Sequence, residues 1–310
     1  MASETVPFCA AADWGTSSFR LWLLARDGTV LGEKRSREGM QSAVAAGGFA
    51  AVLETHLGAL GAAPDLPVIV CGMAGAKQGW VEVPYVDAPA PFEAIAAGAL
   101  PVPGVARDVR ILPGVAQRDA ARPDVMRGEE TQIVGLGREG LVCLPGTHSK
   151  WAAVRAGRIE AFSTFMTGEV FALLAEQSIL RHTVGADRDA LAHAEAFGRG
   201  VEAGLNEPEL LLNRLFALRA GPLLGLSEGA EAAARLSGLL IGSEIAGARS
   251  LLPGERSVVL VVSGPLADLY AAALEVAGFE VAKADADAAV RQGLLAAAEC
   301  CFPIETETRS

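Results

Sequence analysis

Asp13 and the two tetrads Gly15-Thr16-Ser17-Ser18 and Gly146-Thr147-His148-Ser149 are the residues of this chain best suited to handling phosphate. A glycine-containing hairpin turn lets backbone N–H groups approach phosphate oxygens closely, and Thr and Ser hydroxyls add neutral donors. Two such turns facing each other across a cleft would grip a polyphosphate from both sides. Asp13 stands two residues before the first glycine, whereas Leu144 takes that place before the second. One carboxylate beside two phosphate turns suits a Mg²⁺ ion held mainly by water and phosphate oxygens. The plain alternative is an aspartate that only caps its turn.

Three further stretches carry chemistry. Arg127-Gly128-Glu129-Glu130-Thr131-Gln132 opens a helix. Acids in a first turn complement the helix dipole; here they also stand shortly before the second Gly-Thr turn, where a carboxylate can accept the proton of an attacking hydroxyl. Neighbours on a helix point about 100° apart, so Glu129 and Glu130 cannot share one role. Gly128 favours Glu129 for the approach to substrate and leaves Glu130 for the helix terminus. Ser263-Gly264-Pro265 ends an apolar strand and begins a helix, a ligand-facing position at the carboxyl end of a sheet. The glycine-rich run from Gly72 to Trp80 reads either as a surface loop or as a substrate loop with Lys77 facing an anionic group. No GxxxxGK[ST] motif is present, and no GxGxxG follows a strand. No His/Asp/Ser or Cys/His constellation stands out, and His148 reads as structural.

The elements that must position these residues alternate between strand and helix, which indicates an α/β fold. Strands are expected at 8–12, 19–25 and 29–34, a helix at 49–60, and a strand at 68–71. The Pro- and Gly-rich stretch 84–104 reads as loop around one short helix, and 110–113 as a strand closing the first half. After a helix at 124–137 the opening repeats: strands at 141–144, 151–154 and 159–165, then a helix at 169–181. A strand–Gly-Thr-x-Ser–strand–turn–strand unit occurring twice indicates an internally duplicated architecture. Its expected lobes are 1–125 and 126–310. The last third adds helical segments around 230–248, a strand at 258–262, helices at 266–277 and 287–299, and a polar tail, 305–310, that reads as disordered.

Composition narrows the classes. With 310 residues, 51% of them apolar, the chain can fill two domains and is not a disordered or fibrous one. Its net charge of −11 offers no electrostatic footprint for nucleic acid or an anionic membrane. The first residues lack a secretory pattern, and the apolar stretch 258–279 is interrupted by Asp268 and Glu275, against a membrane span. Five cysteines without metal-ligand spacing read as buried free thiols in a reducing cytoplasm.

The strings DWGTSSFRLWLL, GMAGAKQGW, MRGEETQIVG, LPGTHSKW, FMTGE, SGLLIGSE and SGPLADLY occur in this order over nearly the whole chain. Together they resemble the sugar-kinase, heat-shock-chaperone and actin superfamily, and within it the 2-dehydro-3-deoxygalactonokinase family. The resemblance implies a two-lobed, internally duplicated actin-like (ribonuclease H-like) ATPase fold with a nucleotide cleft between the lobes. It implies an ATP- and Mg²⁺-dependent kinase for the C6 hydroxyl of 2-dehydro-3-deoxy-D-galactonate, acting in galactonate breakdown. On it, Gly15, Thr16 and Ser17 form the first phosphate loop, Gly146 and Thr147 the second, and Gly264 lies near the adenosine. Asp13 organises Mg²⁺, Glu129 or Glu130 is the base, and Arg20, Lys77 and Arg127 are candidates for the substrate carboxylate or the transferring phosphoryl group. The alternatives are a kinase of the same fold for another sugar acid, such as 2-dehydro-3-deoxygluconate, and a nucleotide-binding regulatory module without turnover. The expected partners are small molecules, and the sequence leaves room for a homo-oligomer.

Overall fold

A computed structural model describes residues 6–185 and 189–303. The tail expected to be disordered, 305–310, lies outside them. The chain opens as an antiparallel meander of β1 (Cys9–Trp14), β2 (Phe19–Leu24) and β3 (Val30–Ser36). Helix α1 (Phe49–Ala59) leads to β4 (Val68–Gly72), which pairs in parallel with β1, and β5 (Val109–Ile111) pairs in parallel with β4. Helix α2 (Glu129–Leu136) follows. The second pass begins with β6 (Gly140–Leu144), β7 (Ser149–Arg155) and β8 (Arg158–Phe165). Helices α3 (Thr167–Gln177), α4 (Ala194–Asn206), α5 (Leu211–Leu223) and α6 (Ala232–Leu251) come next. Then β9 (Ser257–Val262), α7 (Leu266–Val276), β10 (Glu280–Asp285) and α8 (Ala286–Cys301) complete the order.

The duplication is visible in the strand order. One sheet contains β3-β2-β1-β4-β5 in that order; the other contains β8-β7-β6-β9-β10. In both, an antiparallel meander is extended from its first strand by two parallel strands. The central strands are near-continuous apolar runs: CAAADW in β1 and VIVCG in β4 are buried at every position, as strands covered on both faces must be. The edge strand β3, VLGEKRS, carries charges instead.

The chain divides into two compact units. Unit 1 is Met1–Arg138, Arg155–Glu160 and Ala286–Ser310; unit 2 is Glu139–Val154 and Ala161–Asp285. This division differs from a cut after residue 125, because α2 and the C-terminal helix α8 belong with the first sheet. Their backbones touch through paired glycines: a Cβ on Gly135 would lie 1.9 Å from the Ala289 carbonyl, and one on Gly293 1.9 Å from that of Thr131. One face of the first sheet packs Trp14, Phe19, Phe49 and Leu53; the other packs Trp22 and Ile69 against Val290 and Leu294 of α8. Unit 2 centres on Trp151, Leu260, Ile241, Ile245 and Phe197.

Several elements depart from the sequence expectation. The helix expected over 124–137 is a short strand, Asp124–Met126, then a break, then α2, because Gly128 sits at φ +111°. The helix expected at 169–181 starts earlier and stops at Gln177. There Ser178 turns extended, its hydroxyl donating to the Leu174 carbonyl and accepting the Leu180 N–H. Helices α4 and α5 and strand β10 were not foreseen. Four cysteines are buried free thiols as expected, but Cys300 is exposed.

Candidate functional site

In unit 1 the chemistry gathers at the carboxyl ends of β1 and β4. Strand register places Asp13 opposite Arg20 on one side and Cys71 on the other. One Asp13 oxygen is ion-paired with Arg20; the other lies 3.7 Å from the Cys71 thiol. Burial pushes the Asp13 carboxyl above its usual range, opposed chiefly by the Arg20 guanidinium, and Glu129 is close enough to add to the rise. Arg20 also pairs with Asp287 at the start of α8, and Asp287 accepts from Arg35 at 2.6 Å. Asp13 therefore sits at the inner end of a chain of alternating charges. Just beyond it the Gly15 N–H donates to the Ser18 carbonyl at 2.8 Å, closing a turn whose Thr16 and Ser17 are exposed.

Two glycines let the neighbouring segments come close. Gly72 ends β4 at φ +87°, and a Cβ there would lie 2.6 Å from the Trp14 carbonyl oxygen. Gly128 has φ +111°, and its added Cβ would meet the Gly72 Cα at 3.5 Å. These contacts seat the start of α2 against the end of β4. The two acids of α2 then part company. Glu130 is fully buried; its oxygens accept from the Gly128 N–H at 2.9 and 2.7 Å and from the Thr131 hydroxyl at 3.1 Å. Burial, and then the charge of Glu129, push its carboxyl up to about 8. Glu129 is only half-buried, with Oε2 accepting the Arg127 N–H at 3.1 Å. Arg127 donates from Nη2 to the Val83 carbonyl at 2.8 Å and lies 4.3 Å over the Tyr85 ring. Its Nε and Nη1 are buried without a hydrogen-bond partner. Lys77 is exposed on the loop after β4, which is held down by Trp80 stacked on Phe49 at 5.9 Å.

In unit 2, Gly146 and Thr147 form the turn between β6 and β7 and line a cavity of about 670 Å³, the size of a small-molecule site. The start of α3 is pressed onto this turn: a Cβ on Gly168 would lie 2.5 Å from the Gly146 carbonyl, and the Glu169 N–H donates to the Thr147 carbonyl at 3.0 Å. Helix α6 supplies Ser237, Leu240 and Ile241 to the wall, and the start of α7 supplies Pro265, Leu266 and Tyr270. Gly264 is exposed at the preceding turn with φ +78°; its two following neighbours wall the cavity. Beneath lies a buried network. Glu244 accepts from the Trp151 indole N–H at 2.8 Å and from the Tyr270 hydroxyl at 2.8 Å, and Ser149 stands 2.9 Å from that hydroxyl. With Tyr270 donating to Glu244, the Ser149 proton goes to Tyr270. Burial pushes the Glu244 carboxyl up, and hydrogen bonds from Thr167, Trp151 and Tyr270 oppose the shift.

Within unit 1 the structure gathers Asp13, Arg20, Glu129 and Glu130 around the ends of β1, β4 and α2, with Gly15, Thr16 and Ser17 on the adjoining turn. Gly146, Thr147 and the Gly264 turn belong to unit 2. The two Gly-Thr-x-Ser tetrads are not alike at their last residue. Ser18 is exposed, but Ser149 is buried and turned inward to Tyr270, because the second turn pairs Leu144 with Lys150 and is tighter by one residue. His148 pairs with Glu169. Glu244, Tyr270, Ser237 and Asp287 were missed as site components; the strings SGLLIGSE and SGPLADLY contained three of them, but a buried glutamate and a core tyrosine give no signal of their partners.

The profile of the 2-keto-3-deoxy-galactonokinase family matches residues 13–297. A curated relative from Rhizobium meliloti (strain 1021), "Probable 2-dehydro-3-deoxygalactonokinase DgoK1", is 51% identical over 97% of this chain and 99% of its own length. The 2-dehydro-3-deoxygalactonokinase of Escherichia coli (strain K12) is 33% identical over 92% of this chain and 95% of its own. A crystal structure from Sinorhizobium meliloti, assigned as a 2-dehydro-3-deoxygalactonokinase, superposes with a TM-score of 0.91 at 50% identity, covering 96% of this chain and all of its own. The Clostridium difficile activator of 2-hydroxyisocaproyl-CoA dehydratase, solved with bound ADPNP, shares the fold alone: TM-score 0.52 at 12% identity over 94% of each chain. The duplicated sheets are thus those of the actin-like ATPase fold. With the profile spanning both Gly-Thr turns, Asp13 and both acids of α2, the chain belongs to the 2-keto-3-deoxy-galactonokinase family.

Proposed function

We propose that this chain transfers the γ-phosphoryl group of ATP to the C6 hydroxyl of 2-dehydro-3-deoxy-D-galactonate, as a cytoplasmic enzyme of galactonate breakdown. The observation that carries this reading is the juxtaposition of Asp13, Glu129 and the Gly15-Thr16-Ser17 turn within unit 1. Phosphoryl transfer asks a protein for in-line positioning, charge neutralisation and a base at the acceptor hydroxyl, and these residues have the types for the last two. Gly15, Thr16 and Ser17 of unit 1 and Gly146 and Thr147 of unit 2 are the proposed phosphate-binding residues. The adenosine lies in the unit 2 cavity, against Ser237 and the turn at Gly264 and Pro265.

The groups at Asp13 fit a magnesium ion. Burial pushes the Cys71 thiol well above its usual range, so it stays protonated, and the available donors are hard oxygens. Among the described residues no three His, Cys, Asp or Glu side chains converge into a metal cage. A cation at Asp13 would therefore take most of its ligands from phosphate and water, the usual habit of Mg²⁺. It would supply charge neutralisation to the phosphate oxygens. Arg20 holds the Asp13 carboxylate in place through the Asp287 and Arg35 chain. Glu129 accepts the C6 hydroxyl proton late, as the new P–O bond forms, because a primary alcohol is far too weak an acid to ionise first. The unpartnered Nε and Nη1 of Arg127 make it the favoured group for the substrate carboxylate, with the exposed Lys77 on the loop after β4 as a second candidate cation.

The test is ATP consumption by the purified chain with a panel of sugar acids. Turnover should depend on the acceptor and be fastest with 2-dehydro-3-deoxygalactonate, with product phosphorylated at C6. A preference for 2-dehydro-3-deoxygluconate would transfer the assignment to that epimer. ATP hydrolysis indifferent to every acceptor would instead mark a regulatory module.

A further inference from the structure

Helix α5 is apolar on two sides and uses only one of them. Leu211, Leu215 and Leu218 face inward, packed on Leu236 and Leu240 of α6. Leu212, Phe216 and Leu223 recur at helical spacing on another side and, with Leu224 and Leu226 of the following turn, are between 64% and 81% exposed. A helix apolar on both sides is ordinarily covered on both. Five large apolar side chains this exposed on one helix and the turn after it are more than the surface of an ordinary monomer leaves uncovered, where the biggest apolar patch is roughly 300–600 Å². The stripe is also uncharged. The two arginines of the helix are turned to their own unit, Arg214 onto Glu207 and Arg219 onto the Thr183 hydroxyl at 3.1 Å.

The stretches outside the described residues, 1–5, 186–188 and 304–310, hold only Met1, Ala2, Ala186 and Ile304 as apolar residues. A net charge of −11 disfavours an anionic membrane as the occupant. The stripe does fit a second copy of itself. If two α5 helices cross antiparallel about a two-fold axis beside Leu218, each Phe216 falls opposite the other copy's Ala220, large against small, and each Leu212 opposite Leu224. A self-complementary patch of this kind is what an isologous dimer needs. A stable interface buries roughly 800 Å² per partner, which the stripe would have to reach together with the residues around it. We propose that two copies of this chain pair through the Leu212–Phe216–Leu223 face of α5.

Sedimentation equilibrium of the full chain over a wide concentration range tests this. The expected mass is twice the 32.0 kDa of one chain. Phe216→Glu, at an exposed position away from both candidate sites, should raise the dimer dissociation constant by about 30-fold or more, the loss expected of a central interface anchor. Circular dichroism and kcat should be unchanged. Leu212→Glu serves as the second variant if the first misfolds. Chains carrying Phe216→Glu and Phe216→Lys, each single in mass, should re-associate when mixed, since the axis sets the two positions near each other. A wild-type chain of single mass at every concentration overturns the proposal and would leave the face to a different protein. A dimer that survives both glutamate substitutions overturns it as well, by locating the interface elsewhere.

Discussion

Glu129 and Glu130 differ by one position and by nearly everything else. Glu130 is spent on the helix it belongs to: fully buried, it satisfies the Gly128 N–H, which would otherwise be an orphan at the α2 terminus. Glu129 keeps access to solvent and stands near Asp13. Glu129→Gln is expected to lower kcat by ~10²-fold or more, the usual size of losing a general base, with nucleotide affinity nearly intact. Glu130→Gln is expected to act on stability, and with a definite pH dependence. The folded Glu130 holds its proton up to about 8, above an unfolded carboxyl. Its contribution is therefore fully present below the ordinary carboxylate pKa and lost as pH rises through about 8. The stability gap between wild type and Glu130→Gln should shrink from mildly acidic to mildly alkaline pH. Melting temperatures across that range, beside kcat for both variants, decide the matter. Wild-type kcat in Glu129→Gln would remove it from the chemistry, and a collapse of kcat in Glu130→Gln alone would reverse the two roles.

At the scale of elements, the unit 2 cavity proposed for the nucleotide depends on how α4 and α6 cross. Gly200, Gly204, Gly238 and Gly242 bring the two backbones together: a Cβ on Gly238 would lie 2.2 Å from the Phe197 carbonyl, and one on Gly242 2.2 Å from that of Val201. The same stretch of α6 presents Ser237, Leu240 and Ile241 to the cavity and carries Glu244 beneath Tyr270. Close packing on one face thus fixes the ligand wall on the other. A single methyl group at this crossing must push the helices apart, because the obstacle is backbone and cannot rotate away. Gly242→Ala should cost about 1–3 kcal/mol, the range for overpacked cores, and weaken ATP binding more than it weakens acceptor binding. Urea unfolding and nucleotide titration measure the two effects. A variant as stable as wild type with unchanged ATP affinity would show that the crossing tolerates separation.

For the whole molecule, the two Gly-Thr turns belong to different compact units, and the proposed function gives both the phosphates of one ATP, so binding of nucleotide and sugar acid is expected to draw the units together. Closure would also exclude water, which otherwise competes with the sugar hydroxyl for the phosphoryl group. Small-angle scattering is expected to show a smaller radius of gyration with a non-hydrolysable nucleotide and the sugar acid both bound than with either alone. An unchanged radius at saturation of both ligands counts against closure.

The sequence by itself determined the duplicated order of elements, because apolar runs bounded by Gly and Pro signal strands without reference to anything distant. It also determined the presence of Asp13 and the two Gly-Thr turns at matching points of two meanders, since a turn is a local structure. It did not determine where α2 begins. Residues 124–137 read as one helix, whereas the approach of Gly128 to Gly72, a contact between distant segments, requires φ +111° and breaks it. Nor could it distinguish Ser18 from Ser149 in tetrads of the same Gly-Thr-x-Ser pattern: one is left in solvent and the other drawn to Tyr270 by a strand register one residue tighter. Only the tertiary structure joined Glu244, Trp151 and Tyr270, each unremarkable as a letter, into a network beneath the cavity. It also returned α8 to the first sheet, bringing Asp287 to Arg20 across 267 positions of chain. Local propensity is written residue by residue, but burial and electrostatic partnership belong to pairs that only folding brings together.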